Sequence, residues 1–275
     1  MTRSVIKRMM DPYFQGAAAE LGFYFLFSML PISILLGQLM GVFSLSRNLV
    51  DELVRQYVVP EFAAKLEPYL YYTPSGTLSA VFLVFALWAA SKAQFSLIRI
   101  SNYSYEHELK GFRKAYIQER IRAIGTMLLM LFLIVFSLII LVYGEILLNL
   151  VSLYLYNFLS ITLQIDAIWY LIRWPVGVAV IFLINCYNYH AFPYEKLPYH
   201  KVIPGSLFAS AGILFTTWIY SIYVVKFSSY DLLYGSMATV MALLFWFYLL
   251  GTILIIGIQV NIAWDEERRR SRASR

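Results

Sequence analysis

The chain has 275 residues, of which 60% are hydrophobic, 17% aromatic and 14% charged, and it carries a formal net charge of +6. Soluble domains carry roughly 25% charged residues, so this composition, with a mean hydropathy of +0.67, leaves too few charges to cover a water-facing surface. Most soluble readings are excluded, and the greater part of the surface has to face lipid.

Arg3, Lys7 and Arg8 are followed by Asp11 and Glu20, with no short apolar run ending in a small-residue cleavage site, so the first residues are expected to be retained. Val5, Ile6, Met9, Met10, Tyr13 and Phe14 recur at helical spacing opposite those charges. They predict an interfacial amphipathic helix over residues 1–16. Apolar runs long enough to cross a core of about 30 Å follow over roughly 17–45, 76–98, 169–189, 202–225 and 237–263. After the first, Leu49, Val50, Leu53, Val54, Tyr57 and Val58 repeat opposite Asp51, Glu52 and Arg55 until Pro60, which predicts an amphipathic helix on the extracytoplasmic face. Ala123 to Leu163 holds one charge, Glu145, and as a straight helix would be about 62 Å long, twice one crossing.

Lys and Arg in short loops stay on the cytoplasmic side. A single crossing over 123–145 makes six spans and puts most of the 22 Lys and Arg residues inside, leaving Arg47, Arg55, Lys65, Arg173 and Lys226 outside and Lys92 within the membrane. Two crossings divide the cations almost evenly. The expected fold is all-α: one polytopic membrane domain over 1–275, six transmembrane helices, both termini cytoplasmic. Residues 146–163 then form an interfacial or re-entrant extension and 264–275 a basic cytoplasmic tail. The basic loops read as orientation signals and contacts for anionic lipid headgroups, and no nucleic-acid partner is expected. Pro74, Phe85, Trp88 and Ser91 echo Pro204, Phe215, Trp218 and Ser221 in antiparallel spans, as in an inverted repeat. The small alphabet of apolar helices explains so few identities more simply.

Ionisable side chains inside a span cost about 2.5–3.5 kcal/mol on insertion scales and mark partners or pathways. Glu20 and Lys92 lie at similar depth in the first two spans. Their plain reading is a structural ion pair or a snorkelling lysine, and their functional reading is part of a substrate or ion path. Asn185, Asn188 and His190 in the fourth span, with Gln259 and Asn261 in the last, are first of all hydrogen-bonding glue between helices. Gly205, Ser206, Ala209 and Ser210 permit close contact within the chain or between copies in a homo-oligomer. Cys186, the one cysteine, reads as a small core residue. His107 between Glu106 and Glu108, or His190, Glu195 and His200, offer metal-ligand atoms, but no H-E-x-x-H or C-x-x-C spacing occurs. No metal or cofactor is expected. Phosphate-loop, dinucleotide and nucleophile-elbow motifs are missing too, so neither ATP use nor serine hydrolysis is indicated.

Ala17-Ala18-Ala19 with Phe23, Tyr24, Ser28 and Pro31 resembles the opening of the YihY/virulence factor BrkB family of bacterial inner-membrane proteins. So do Trp88 to Ser91 ahead of Asn102, Pro204-Gly205 with Trp218, and Phe227, Tyr230 and Tyr234-Gly235-Ser236, completed by Trp246, Tyr248, Gly257 and Asn261. The likeness runs from about Ala17 to Ala263, and the Tyr-Gly-Ser run is its most specific part. Where members often carry a glutamate in the last span, this chain has Gln259. The resemblance implies six spans in the cytoplasmic membrane and no defined reaction. The ribonuclease label that the family has carried finds no metal-ligand set here.

The function expected from these features is a transporter-like or lipid-handling membrane protein, not an enzyme, whose intramembrane cavity takes a small amphipathic or ionic substrate without ATP. The alternative is a non-transporting envelope-integrity or scaffold protein. A membrane ribonuclease ranks last for want of catalytic spacing.

Overall fold

The computed structural model describes residues 2–42, 76–105, 116–137, 165–194, 196–227 and 236–273, and among these every regular element is an α-helix. In chain order they are α1 (Thr2–Met9), α2 (Pro12–Val42), α3 (Gly76–Ser104), α4 (described over Tyr116–Ser137), α5 (Ile165–Ala191), α6 (Tyr199–Phe227) and α7 (Ser236–Ala273). The extracytoplasmic amphipathic helix and the 146–163 extension lie outside the described residues.

Within the expected 1–16 segment the helix stops at Met9, because Asp11 and Pro12 start a new one. The Asp11 carboxylate accepts the Tyr13 amide at 2.9 Å, and Pro12 occupies the first helical position, where its missing N–H costs nothing. The other Asp11 oxygen accepts the Tyr103 hydroxyl at 3.1 Å, tying this cap to α3. Several helices outrun their apolar runs at the same end of the bundle. Hydropathy stops where charges start, but the backbone stays helical: on α7, Asp265 pairs with Arg269 one turn on, and Glu266 pairs with Arg8 of α1. We call this the basic end.

Three described helices, Tyr116–Ser137, Tyr199–Tyr223 and Val240–Arg272, are long and apolar enough to cross a membrane. Large apolar side chains stand exposed along the bundle, among them Leu171, Trp174, Phe215, Trp218, Met241 and Phe245. Water does not tolerate that much continuous apolar surface, and lipid does. The protein is a helical membrane protein.

Helix α7 packs between α2 and α6; α3 lies on α2, α5 lies on α6, and α1 crosses the last turns of α7. The buried core gathers toward the basic end, where Leu21, Ile98, Ile100, Val202, Ala209, Ile255 and Ile258 are almost fully enclosed. Apolar contact between helices gains nothing over contact with lipid tails, so close approach of backbones and polar bonds must hold them. At the α2–α7 crossing, a methyl on Gly22 would meet the Tyr248 amide nitrogen at 3.0 Å, and one on Gly251 the Ala18 carbonyl at 3.1 Å.

The α6–α7 crossing is tighter still. A side chain at Gly205 would overlap the Gly257 carbonyl and the Asn261 amide, and one at Gly257 would overlap the Tyr189 hydroxyl. Pro204 removes a donor from α6 and disturbs the turn around it. The next amide, Gly205 N–H, reaches across to Asn261 Oδ1 at 2.7 Å. Ser206, Ala209 and Ser210 are buried alongside, so this small-residue face is occupied within the chain. Gly205→Ala should lower stability by about 3 kcal/mol in detergent unfolding experiments. Gly125→Ala, where an added methyl meets nothing within 4 Å, should stay neutral or gain up to about 1 kcal/mol.

Candidate functional site: a polar layer and an aromatic stripe

Two groups of polar side chains arise from these helices. The first is buried and spans the basic end. From α3, the Asn102 side-chain amide donates to Glu119 Oε1 of α4 at 2.8 Å, while its carbonyl oxygen accepts the Tyr194 backbone N–H at 2.8 Å. One buried side chain thus joins α3, α4 and the turn after α5. Arg122, one turn beyond Glu119, donates to the carbonyls of Phe192, Pro193 and Tyr194, at 2.6 Å for Pro193. It satisfies carbonyls of the turn that follows α5. Gln259 of α7 donates to Ser104 Oγ at 2.8 Å, and that hydroxyl donates onward to Ile100 O at 2.7 Å. Asn185 of α5 donates to Ser210 Oγ of α6 at 3.0 Å, and the Tyr189 hydroxyl donates to Leu254 O of α7 at 2.8 Å.

Asn185, Asn188, Gln259 and Asn261 are therefore all buried in this layer. Among the described residues Asn188 Oδ1, Gln259 Oε1 and Asn261 Nδ2 meet no hydrogen-bond partner; each is a costly buried group unless something polar meets it. Gln259 is wholly enclosed, and as a neutral amide it spares the layer a buried charge that a carboxylate would bring. His190 sits at its edge, with Nδ1 against the Leu197 carbonyl and its ring stacked on Tyr199 at 4.2 Å between centroids. Among the described residues no group of three His, Cys, Asp or Glu is placed to hold a metal. His107 and Glu195 lie outside them.

The second group lies on the α2–α3 face. Among the described residues Glu20 and Lys92, both half-buried, are not paired directly; Tyr24 contacts both. Its hydroxyl lies beside the Glu20 carboxylate and its ring 5.9 Å from Lys92 Nζ, which also sits 4.9 Å from the Trp88 ring centre. Phe85, Trp88, Lys92, Arg99 and Tyr103 follow one another at helical spacing, exposed or half-exposed along α3. Phe27 meets Phe85 edge-on at 5.6 Å, and Tyr13 packs against Tyr103 at 4.2 Å. An aromatic stripe with embedded cations results. Cavities lined by Gln118, Ile121, Arg122 and Tyr194, and by His200, Lys201 and the end of α7, lie at the basic end, and neither is lined by Glu20 or Lys92.

The residues singled out by resemblance fall mostly into local roles. The Ser28 hydroxyl donates to Phe25 O and that of Ser91 to Trp88 O, each bond closing a turn of its own helix. Trp218 is exposed on α6. Tyr230, Tyr234 and Gly235 lie outside the described residues, as do the side chains of Pro31 and Ser236. Glu119 and Arg122 escape sequence reasoning because the charges from Glu106 to Arg122 read as a loop, and Ser104 because a serine on an apolar helix carries no mark of its partner. The available signal is the helical spacing of Glu119, Ala123, Thr126 and Met127, all buried.

Helices whose polar groups are tied together at one end, and whose remaining surface is apolar, define an integral membrane protein. This one belongs to the virulence factor BrkB family, whose model matches residues 5–275. A Bacillus subtilis (strain 168) relative named as a ribonuclease-like protein, YfkH, is 29% identical over 258 residues, covering 93% of this chain and 91% of its own. The UPF0761 membrane protein PSHAa0171 of Pseudoalteromonas translucida is 29% identical over 93 residues, 34% of this chain and 30% of its own. A UPF0761 membrane protein of Chromohalobacter salexigens is 31% identical over 83 residues, 30% of this chain and 20% of its own. No solved structure matches the chain.

Asn102→Ala strands a buried carboxylate and a backbone amide together, and should cost about 2–4 kcal/mol. The neighbouring exposed Gln118→Ala should fall within about 0.5 kcal/mol. Denaturant unfolding of the two variants in the same detergent checks the contrast.

Proposed function

We propose that the chain is a six-span protein of the bacterial cytoplasmic membrane, with both termini inside, that moves or positions amphiphilic molecules, lipids included, along the α2–α3 face. The observation that carries this reading is the stripe itself. Phe85, Trp88, Lys92, Arg99 and Tyr103 set cations among aromatic rings on a surface in contact with lipid, with Glu20 and Tyr24 beside them. A charged group at that depth costs several kcal/mol unless it meets water, a partner or a polar headgroup. Lys92 is held in place by ring faces and remains open on one side, which suits an anionic or zwitterionic headgroup whose apolar chains stay in the membrane.

This replaces an enclosed cavity with a lateral track. It needs no nucleotide, so movement is downhill or coupled to an ion gradient.

The test is flux in proteoliposomes. Fluorescent phospholipid exchange between leaflets, and uptake of amphiphilic cations and anions, should fall by at least about tenfold in Lys92→Met and Glu20→Gln, the loss expected when a charge-assisted contact worth about 1.5–3 kcal/mol is removed. Wild-type rates in both variants remove the pair from the mechanism. No flux of any kind from the wild-type protein favours a scaffold role instead.

A further inference from the structure

At the basic end a second, separate feature stands apart from the stripe. The first turn of α6 and the last turns of α7 enclose a cavity of about 120 Å³ lined by His200, Lys201, Trp264, Asp265, Arg268, Arg269 and Arg272. Four cations surround one carboxylate there. Asp265 engages two of them: Lys201 Nζ lies 3.1 Å from Oδ1, and Arg269 reaches Oδ2 at 3.0 Å. Burial pushes the Asp265 carboxyl upward, but the ammonium and guanidinium outweigh it and hold the group below its usual range. It therefore stays ionised and neutralises one charge. Arg268 lies over the Trp264 ring at 5.4 Å and lines the cavity. Arg272 has no ion-pair partner among the described residues and follows Arg268 by one turn on the same face.

The surplus of three positive charges asks for an anion, and guanidinium forks favour phosphate oxygens. The cavity's depth says which kind. Trp264 follows directly on the buried apolar residues Ile262 and Ala263, the level at which tryptophan marks the membrane interface. Below His200, the exposed side chains Ile203 and Leu207 continue the same face of α6 into the apolar region. A phosphate held by Arg268 and Arg272 would have lipid-compatible surface directly beneath it.

We propose that this cavity is a binding site for the phosphate of an anionic phospholipid headgroup, with Arg268 and Arg272 as its chief ligands, Lys201 and His200 closing its α6 side, and the acyl chain lying over Ile203 and Leu207. The site deepens the amphiphile-handling reading and rests on it for the choice of lipid, but its test is equilibrium binding, so a protein without any flux still answers it.

Full-length protein in detergent is titrated with short-chain phosphatidylglycerol, short-chain phosphatidylcholine and inorganic phosphate, with bound ligand counted by native mass spectrometry. The wild type should bind phosphatidylglycerol saturably, and phosphatidylcholine or inorganic phosphate at least about tenfold more weakly. At about 1 kcal/mol per basic residue, Arg272→Gln should weaken phosphatidylglycerol binding about fivefold and Arg268→Gln/Arg272→Gln about 25-fold. Arg272 is exposed and without an ion-pair partner, so the single variant reads the site even if the double variant folds poorly. Arg270→Gln, on the same helix but outside the cavity, should bind as wild type. Unchanged binding in Arg272→Gln overturns the proposal, as does an equal loss in Arg270→Gln, which means diffuse attraction. Inorganic phosphate binding as tightly as the lipid overturns the lipid assignment and makes this a site for a soluble anion.

Discussion

The polar layer at the basic end depends on how near α6 and α7 come to each other at Gly205 and Gly257. In lipid, apolar side chains offer helices little reason to associate, and two backbones in contact supply what side-chain burial cannot: dense van der Waals packing and reach for short polar bonds. Pro204 lacks an N–H of its own, and the next amide, that of Gly205, bonds Asn261 of the neighbouring helix. Tyr189 fits against Gly257 and bonds Leu254, which brings α5 into the same junction.

From that junction the molecule divides into two environments. Toward the basic end, amides, hydroxyls and one carboxylate fill the interior, and bonds from Asn102, Asn185, Tyr189, Gln259 and Asn261 run from one helix to another. Away from it, aromatic and aliphatic side chains stand exposed, and Ser28 and Ser91 bond within their own helices. Polar and apolar roles are thus separated along the bundle axis rather than between inside and outside, as a soluble fold would have it. Lys92, with Glu20 and Tyr24, is the exception, a polar trio on the lipid-facing side.

Much of the architecture was legible before any coordinates. Run lengths at 123–145, 202–225 and 237–263 overlap the three described helices long and apolar enough to cross a membrane, because about 20 residues of low polarity have few other uses. Amides at 185, 188, 259 and 261 stood out because their cost in lipid demands partners. Which partners they find was not legible: Ser104 and Ser210 are ordinary residues on an apolar helix, and nothing local marks them as acceptors. Glu119 was hidden by its neighbours, since a carboxylate among arginines and lysines looks like part of a solvated loop until helical spacing is tested. Depth alone suggested that Glu20 and Lys92 meet, but a register shared by two helices does not say that a tyrosine ring stands between.

Helix α7 runs unbroken for 38 residues, about 57 Å at the usual rise, from exposed apolar side chains through Gln259 and Asn261 to the arginines beyond Ala263. Glycine contacts hold that rod on both flanks, with α2 at Gly22 and Gly251 and with α6 at Gly205 and Gly257. One continuous helix therefore carries both the lipid-facing apolar surface and the basic tail, so the arginines beyond Ala263 and the amides of Gln259 and Asn261 share a single backbone register.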